Sequence, residues 1–223
     1  MRLLLLGQSS WSAWKAHRKT ATAMFLSAIL FTVMSWSDTL LVGYYMDAAD
    51  VGLYRVAFKV ATLITFTQFA INAKLAPDIA SLWAQSKPKE LQSSIHRVAW
   101  LNAVIAIPAT LVLGLFGPWM LGLFGEAFVP LYPVMMLLCI GQLVNALCGP
   151  VMYLLNMTGH EAIAQRTMLV AMLVNLIANV ILIPLMGLMG AAIATSLSMV
   201  LWNVWALVAV RRHTGIRTLF FWR

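Results

Sequence analysis

The sequence predicts an all-α protein embedded in a membrane. Three observations predict it. Of 223 residues, 62% are hydrophobic and only 10% charged; mean hydropathy is +0.87; and apolar runs long enough to cross a bilayer recur along the chain. A soluble domain carries about a quarter charged residues. No core can bury so much apolar surface, so lipid is the solvent for most of the chain.

Six runs of about 20 residues or more fit transmembrane helices, at 21–45, 52–75, 99–117, 130–155, 165–185 and 188–210. Residues 1–20, "MRLLLLGQSSWSAWKAHRKT", precede them. Their four-leucine run is shorter than the roughly 7–15 apolar residues of a secretory signal. A cytoplasmic or interfacial lead-in fits better, with Trp11 and Trp14 near the headgroups. The turn "MDAAD" makes the first two spans antiparallel neighbours. After the second span, "APDIASLWAQSKPKELQSSIHRV" is polar on one side and apolar on the other. It predicts an amphipathic interfacial helix starting near Pro77 and Asp78. The pentapeptide "LGLFG", at 113–117 and again at 121–125, reads as an interfacial outer loop. Pro108, Pro133 and Pro150 predict kinks, since each removes a backbone hydrogen bond. Gly190, Ala194 and Ser198 form a stripe of small residues that allows close helix packing in the last span. Residues 211–223 form a basic cytoplasmic tail.

The basic residues orient the bundle. Net charge is +8 and pI about 9.9, yet thirteen of the fifteen Lys and Arg fall in alternate connections. The lead-in, the stretch from Lys74 to Arg97 and the tail carry four each, and "NMTGHEAIAQR" carries Arg166; the other connections carry none. Positive charge marks the cytoplasmic side, so both termini are placed there. The charge therefore reports topology, and nucleic acid is excluded as a partner.

Little else is ionisable. His17, His96, His160 and His213 all fall in the cytoplasmic segments, and none belongs to a catalytic grouping with a carboxylate or nucleophile. Cys139 and Cys148 lack metal-ligand spacing and read as small core residues. No nucleophile elbow, phosphate loop or metal motif occurs. The sequence predicts no enzyme, no metal and no cofactor.

The two cations left over are Arg55 and Lys59, one helical turn apart within the second span. Lys59 falls about 10 Å below Gly52 at 1.5 Å per residue. Asp38 lies at about the same depth on the first span, so a pair with Lys59 or Arg55 is geometrically easy. Ionisable groups at membrane depth normally face a bundle interior or a watery cavity. One carboxylate against two cations leaves positive charge that invites an anion, a phosphate or an acidic sugar; the alternative is that Arg55 snorkels to the outer interface. Gln68 and Asn72 share a face more than a quarter-turn from Arg55 and point to a separate contact. Gln142 with Asn145, and Asn175 with Asn179, are spaced for interhelical hydrogen bonds.

Four stretches together resemble the polysaccharide biosynthesis, or oligosaccharide-lipid flippase, family of the multidrug/oligosaccharidyl-lipid/polysaccharide exporter superfamily. They are "SDTLLVGYYMDAADVGLYRVAFKV", "LAPDIASLW", "LGLFGEAFVPLYPVMMLL" and "NLIANVILIPLMGLMGAAIATSLS", in family order over about residues 35 to 200. The resemblance implies one six-helix lobe, the C-terminal one, of a two-lobe exporter that opens alternately to each side. It implies an anionic lipid-linked glycan as substrate, flipped across the bacterial inner membrane for polysaccharide such as O-antigen. Asp38, Tyr54 and Lys59 carry over best by motif position, with Arg55 less typical. It also implies a second six-helix lobe or a homodimer as partner, and coupling to protons or sodium through Asp38. Two readings stand beside it: half of a multidrug cation exporter, and a membrane module that does not transport.

Overall fold

The computed structural model describes the backbone of residues 6–219; side chains are described from residue 36 onward and at scattered positions before it. Eight α-helices follow one another: α1 Leu6–Tyr45, α2 Ala48–Thr62, α3 Phe66–Ala84, α4 Pro88–Gly122, α5 Tyr132–Cys148, α6 Val151–Met157, α7 Glu161–Met186 and α8 Leu188–Thr214. Short 3₁₀ turns at Leu63–Thr65 and Glu126–Leu131 join α2 to α3 and lead into α5. Among the described residues five helical stretches are long and apolar enough to cross a membrane: Ala48–Ala84, Pro88–Gly122, Glu126–Cys148, Glu161–Met186 and Leu188–Thr214. They correspond to the second through sixth expected spans. The first, 21–45, continues α1 without a break from the lead-in, and the side chains of Trp11 and Trp14 lie outside the described residues.

Helix α8 is the hub. More than half of its most apolar window, 56%, is buried, against 28–39% in the other spans. It packs on α7 and α5, and α1 packs on α7. Small residues permit this. A Cβ at Gly190 would fall inside the van der Waals shell of the Leu182 carbonyl on α7, and one at Gly141 would sit 3.1 Å from Ser196 Cα. Ala194 and Ser198, the rest of the expected stripe, are fully buried.

The connections segregate to two ends. The α1–α2 turn meets the α7–α8 turn, where Met46 lies against Gly187. At the other end His160 and His213 bring the start of α7 beside the end of α8, their rings 5.2 Å apart. There Gln92 clamps the chain beyond α8: its Nε2 donates to the Arg217 carbonyl at 2.6 Å and its Oε1 accepts from the Arg217 amide at 2.9 Å. Ile216 and Thr218 are buried by this return, so the first residues of the expected tail are part of the fold. Its last residues, 220–223, lie outside the described ones.

The amphipathic stretch after the second span does not form a helix of its own. Its first part continues α3 through Pro77, and its second opens α4 at Pro88, where a proline costs no hydrogen bond. A tight turn at Gln85–Lys87, with Ser86 left-handed at φ 54°, folds the two against each other. Leu75 and Ile79 then face Leu91 and Ile95 in one core cluster. The apolar side is buried in protein, not laid on a membrane. Of the expected kinks, Pro108 lies inside the continuous α4, Pro133 starts α5, and Pro150 follows Gly149 (φ 75°) at a complete break between α5 and α6.

Gly190→Val should lower stability by about 1–3 kcal/mol through overpacking, whereas Gly52→Ala, which meets nothing within 4 Å, should be neutral or stabilising. Thermal unfolding of the detergent-solubilised chain measures both.

Candidate functional site: a buried carboxylate between two cavities

Asp38 is 4% exposed, and an unpartnered carboxylate at that depth would be prohibitively costly. Neutral donors on three other helices offset the cost. Asn175 and Asn179, one turn apart on α7, donate their amide groups to Oδ1 at 3.0 and 2.5 Å. On the other oxygen, Oδ2, the Thr195 hydroxyl of α8 donates at 2.5 Å. The Tyr54 hydroxyl of α2 lies 3.4 Å from Oδ2 but 3.0 Å from Thr195 Oγ1. With the Thr195 proton committed to Asp38, Tyr54 donates to Thr195, giving a relay Tyr54–Thr195–Asp38. Ser37, the neighbour of Asp38, donates to Asn175 Oδ1 at 2.7 Å. One network thus joins α1, α2, α7 and α8.

The expected ion pair is absent: among the described residues no Lys or Arg bridges Asp38. The reason is helical phase. On α2 the inward stripe is Tyr54, Ala57 and Ala61, which puts Arg55 and Lys59 on a flank. Arg55 lies over the ring of Trp36, 4.6 Å from its centroid, a cation–π contact, while Lys59 is exposed. Both nevertheless border a hollow of about 230 Å³ together with Asp38, Trp36, Thr39 and Phe58.

A second, larger cavity of about 640 Å³ lies on the other side of Asp38 and Phe58, a size typical of ligand sites, which run about 300–1,000 Å³. Gln68 and Asn72 line it with Thr62 and Thr65, apart from the two cations as their helical phase predicts. Gln142, Asn145 and Asn175 also line it. Gln142 and Asn175 bond to other elements through their side chains, Thr65 donating to Gln142 Oε1 at 3.1 Å; Asn145 is reached only at its backbone carbonyl, by Gln68 at 3.5 Å. Packing residues and cavity residues are thus largely the same set; Asn179 belongs to the network but not to the lining.

Two irregularities build this cavity. The 3₁₀ turn at Leu63–Thr65 rotates the helix face between α2 and α3, and the Gly149–Pro150 break adds Asn156 on α6 to the wall. Irregular backbone at membrane depth is tolerated where it lines a cavity. Sequence reasoning missed the α8 contribution: Thr195, Ser198, Met199, Trp202 and Asn203. Their spacing of i, i+3, i+4, i+7 and i+8 is a legible helical face, but Ser198 was assigned to the small-residue stripe alone.

A lipid-embedded bundle that holds a carboxylate at the wall of a polar cavity has the architecture of a membrane transporter. The MatE family model matches residues 23–185, well over half the chain, and the chain belongs to that family. This bears out the resemblance to the exporter superfamily and makes the chain a multi-pass transporter-family protein, not a catalyst. It is similar to a probable flippase, AglR, of Haloferax volcanii, 32% identical over 83% of this chain and 39% of that one. It is also similar to a probable low-salt glycan biosynthesis flippase, Agl15, of the same organism, 28% identical over 86% of this chain and 43% of that one. An uncharacterized membrane protein, MJ1068, of Methanocaldococcus jannaschii is 24% identical over 81% of this chain and 37% of that one. The chain therefore spans about two-fifths of the length of these relatives. No solved structure matches it.

Thr195→Val and Asn179→Leu should each destabilise by about 1–3 kcal/mol, because each removes a donor from a buried carboxylate. Both donors serve Asp38, so a double-mutant cycle in thermal unfolding should show coupling of about 0.5 kcal/mol or more.

Proposed function

We propose that the chain is one six-span lobe, C-terminal in kind, of a flippase that moves an anionic lipid-linked oligosaccharide or polysaccharide precursor, such as an O-antigen unit, across a cytoplasmic membrane, with both termini cytoplasmic. The observation that carries this reading is the pair of adjoining cavities beside Asp38, one bordered by Arg55 and Lys59. The names of two relatives, both glycan-linked or plain flippases, support it. A bacterial inner membrane is the proposed location; the relatives are archaeal, and a cytoplasmic membrane is common to both.

In this reading the substrate diphosphate is held at Arg55 and Lys59, and the glycan enters the larger cavity. Asp38 takes the coupling proton or sodium ion. Asn179 Oδ1, buried and without a partner, offers a further oxygen on a residue already bonded to Asp38. The second half of the exporter is a separate six-helix lobe or a second copy of this chain.

One observation favours an organic-cation exporter instead: among the described residues the only ionisable groups lining the larger cavity are Asp38 and Tyr153. Against it, the Asp38 carboxylate is already occupied by donors. Extrusion of tetraphenylphosphonium from cells expressing the complete transporter, unaffected by Lys59→Ala, would establish that reading.

With the partner lobe present, Lys59→Ala should abolish glycan export at unchanged protein level; unaltered export would remove Lys59 from the mechanism. Asp38→Asn should retain substrate binding but lose the response of export to a proton or sodium gradient, measured in vesicles with each gradient collapsed in turn.

A further inference from the structure

The two cavities differ in charge as well as size. Arg55 and Lys59 border the smaller one; among the described residues no Lys, Arg or His lines the larger. The larger wall is instead rich in side-chain amides, and several have unused hydrogen-bonding capacity. Asn145 and Asn156 are half-buried in the wall, and neither side chain bonds to another described residue. Gln142 accepts from Thr65 through its oxygen, and its amide nitrogen donates to no other described residue. Apolar faces from Trp202, Phe58 and Met168 fill the rest of the wall.

Such a wall suits a ligand that carries many neutral donors and acceptors on an apolar frame. A hexose has hydroxyls around its rim and C–H groups on its faces, and an N-acetyl group adds an amide that pairs with another amide in both directions. A carboxylate suits it poorly. An acidic sugar loses hydration on entry and finds no cation to restore it. The neighbouring Asp38 supplies charge of the same sign, and its oxygens already accept from Asn175, Asn179 and Thr195.

We propose that the larger cavity is a subsite for an uncharged, N-acetylated or simple hexose, and that it discriminates against uronic and other acidic sugars. This rests on the flippase reading and narrows it: negative charge on the substrate is confined to the diphosphate, and the sugar next to it is neutral. The sequence alone left an acidic sugar open, because the surplus of Arg55 and Lys59 over Asp38 invites any anion.

The test uses the 223-residue chain in lipid nanodiscs and three probes: farnesyl diphosphate, farnesyl-diphosphate-N-acetylglucosamine and farnesyl-diphosphate-glucuronic acid. Calorimetric titration should show the N-acetylglucosamine probe binding about tenfold or more tighter than the glucuronic acid probe, given the uncompensated charge. Asn145→Arg, and independently Asn156→Arg, should bring a cation into the wall and close most of that gap by strengthening the glucuronic acid probe. Equal affinity of the two sugar probes for the unaltered chain would overturn the proposal, as would a gap unmoved in both folded variants. Should farnesyl diphosphate bind as tightly as the N-acetylglucosamine probe, the sugar subsite is refuted while the diphosphate site of the flippase reading stands. Failure of all three to bind, with tetraphenylphosphonium binding, overturns the flippase reading as well.

Discussion

The structure depends on the burial of one carboxylate. Asp38 lies where a charge is expensive, and the expense is met by converging donors from α7 and α8, with Tyr54 of α2 acting through Thr195. Each donor sits on a helix whose remaining contacts with its neighbours are largely apolar. In lipid such contacts give little directional preference, because acyl chains are as apolar as leucine. The hydrogen bonds therefore fix the rotation of α1, α2, α7 and α8 about their axes. That rotation turns the polar face of α8 toward the cavity and the flank of α2, with Arg55 and Lys59, toward the smaller hollow.

The same constraint explains why two helices are interrupted. If α2 continued straight into α3, one face could not serve both the Tyr54–Asp38 contact and the wall bearing Gln68 and Asn72. The 3₁₀ turn at Leu63–Thr65 changes the residues per turn and places Thr62, Thr65, Gln68 and Asn72 along one wall. On the opposite wall the Gly149–Pro150 break frees backbone groups that a regular helix would have satisfied. It does so where Thr218, carried back by the chain beyond α8, closes against Gly149. Both breaks fall beside the cavity, and the unbroken α7 and α8 frame it.

Much of this was legible in the residues. Hydropathy and length located five spans that the fold reproduces, and the separation of Gln68 and Asn72 from Arg55 followed from 100° per residue. Pairing was harder. Equal depth brought Asp38 and Lys59 to the same level, but rotation about α2 decides which side chain meets the carboxylate, and Tyr54 takes that position. Depth is a one-dimensional property of a sequence; azimuth depends on which helix lies where. The amphipathic stretch shows the same limit. Its period correctly marked one apolar side on each of two turns of chain, and only the left-handed Ser86 decides that those sides meet each other. Thr195 escaped notice, and Ser198 read as packing alone, because small and polar residues on one helix face serve packing and lining alike.

The larger cavity also shows what the bundle lacks. Its wall runs from Ala28 and Met34 on α1 to Phe69 and Asn72 on α3. Yet α1 packs on α7 and α2, while α3 packs on α4 and α6. The two helices diverge, so the gap between them is the one side of the cavity that this chain leaves unclosed among its described residues. Phe66 and Phe69 stand exposed at its edge, each at 76%. A polar cavity open to acyl chains would leave its amides facing hydrocarbon, which costs several kcal/mol per unsatisfied group. Something must cover that side, with either water or protein behind it. The chain spans 39–43% of the length of two flippase-named relatives, and a second lobe set against α1 and α3 would supply the missing wall. The cavity's open side and the chain's share of its relatives' length are separate observations, and the proposed second lobe would account for both.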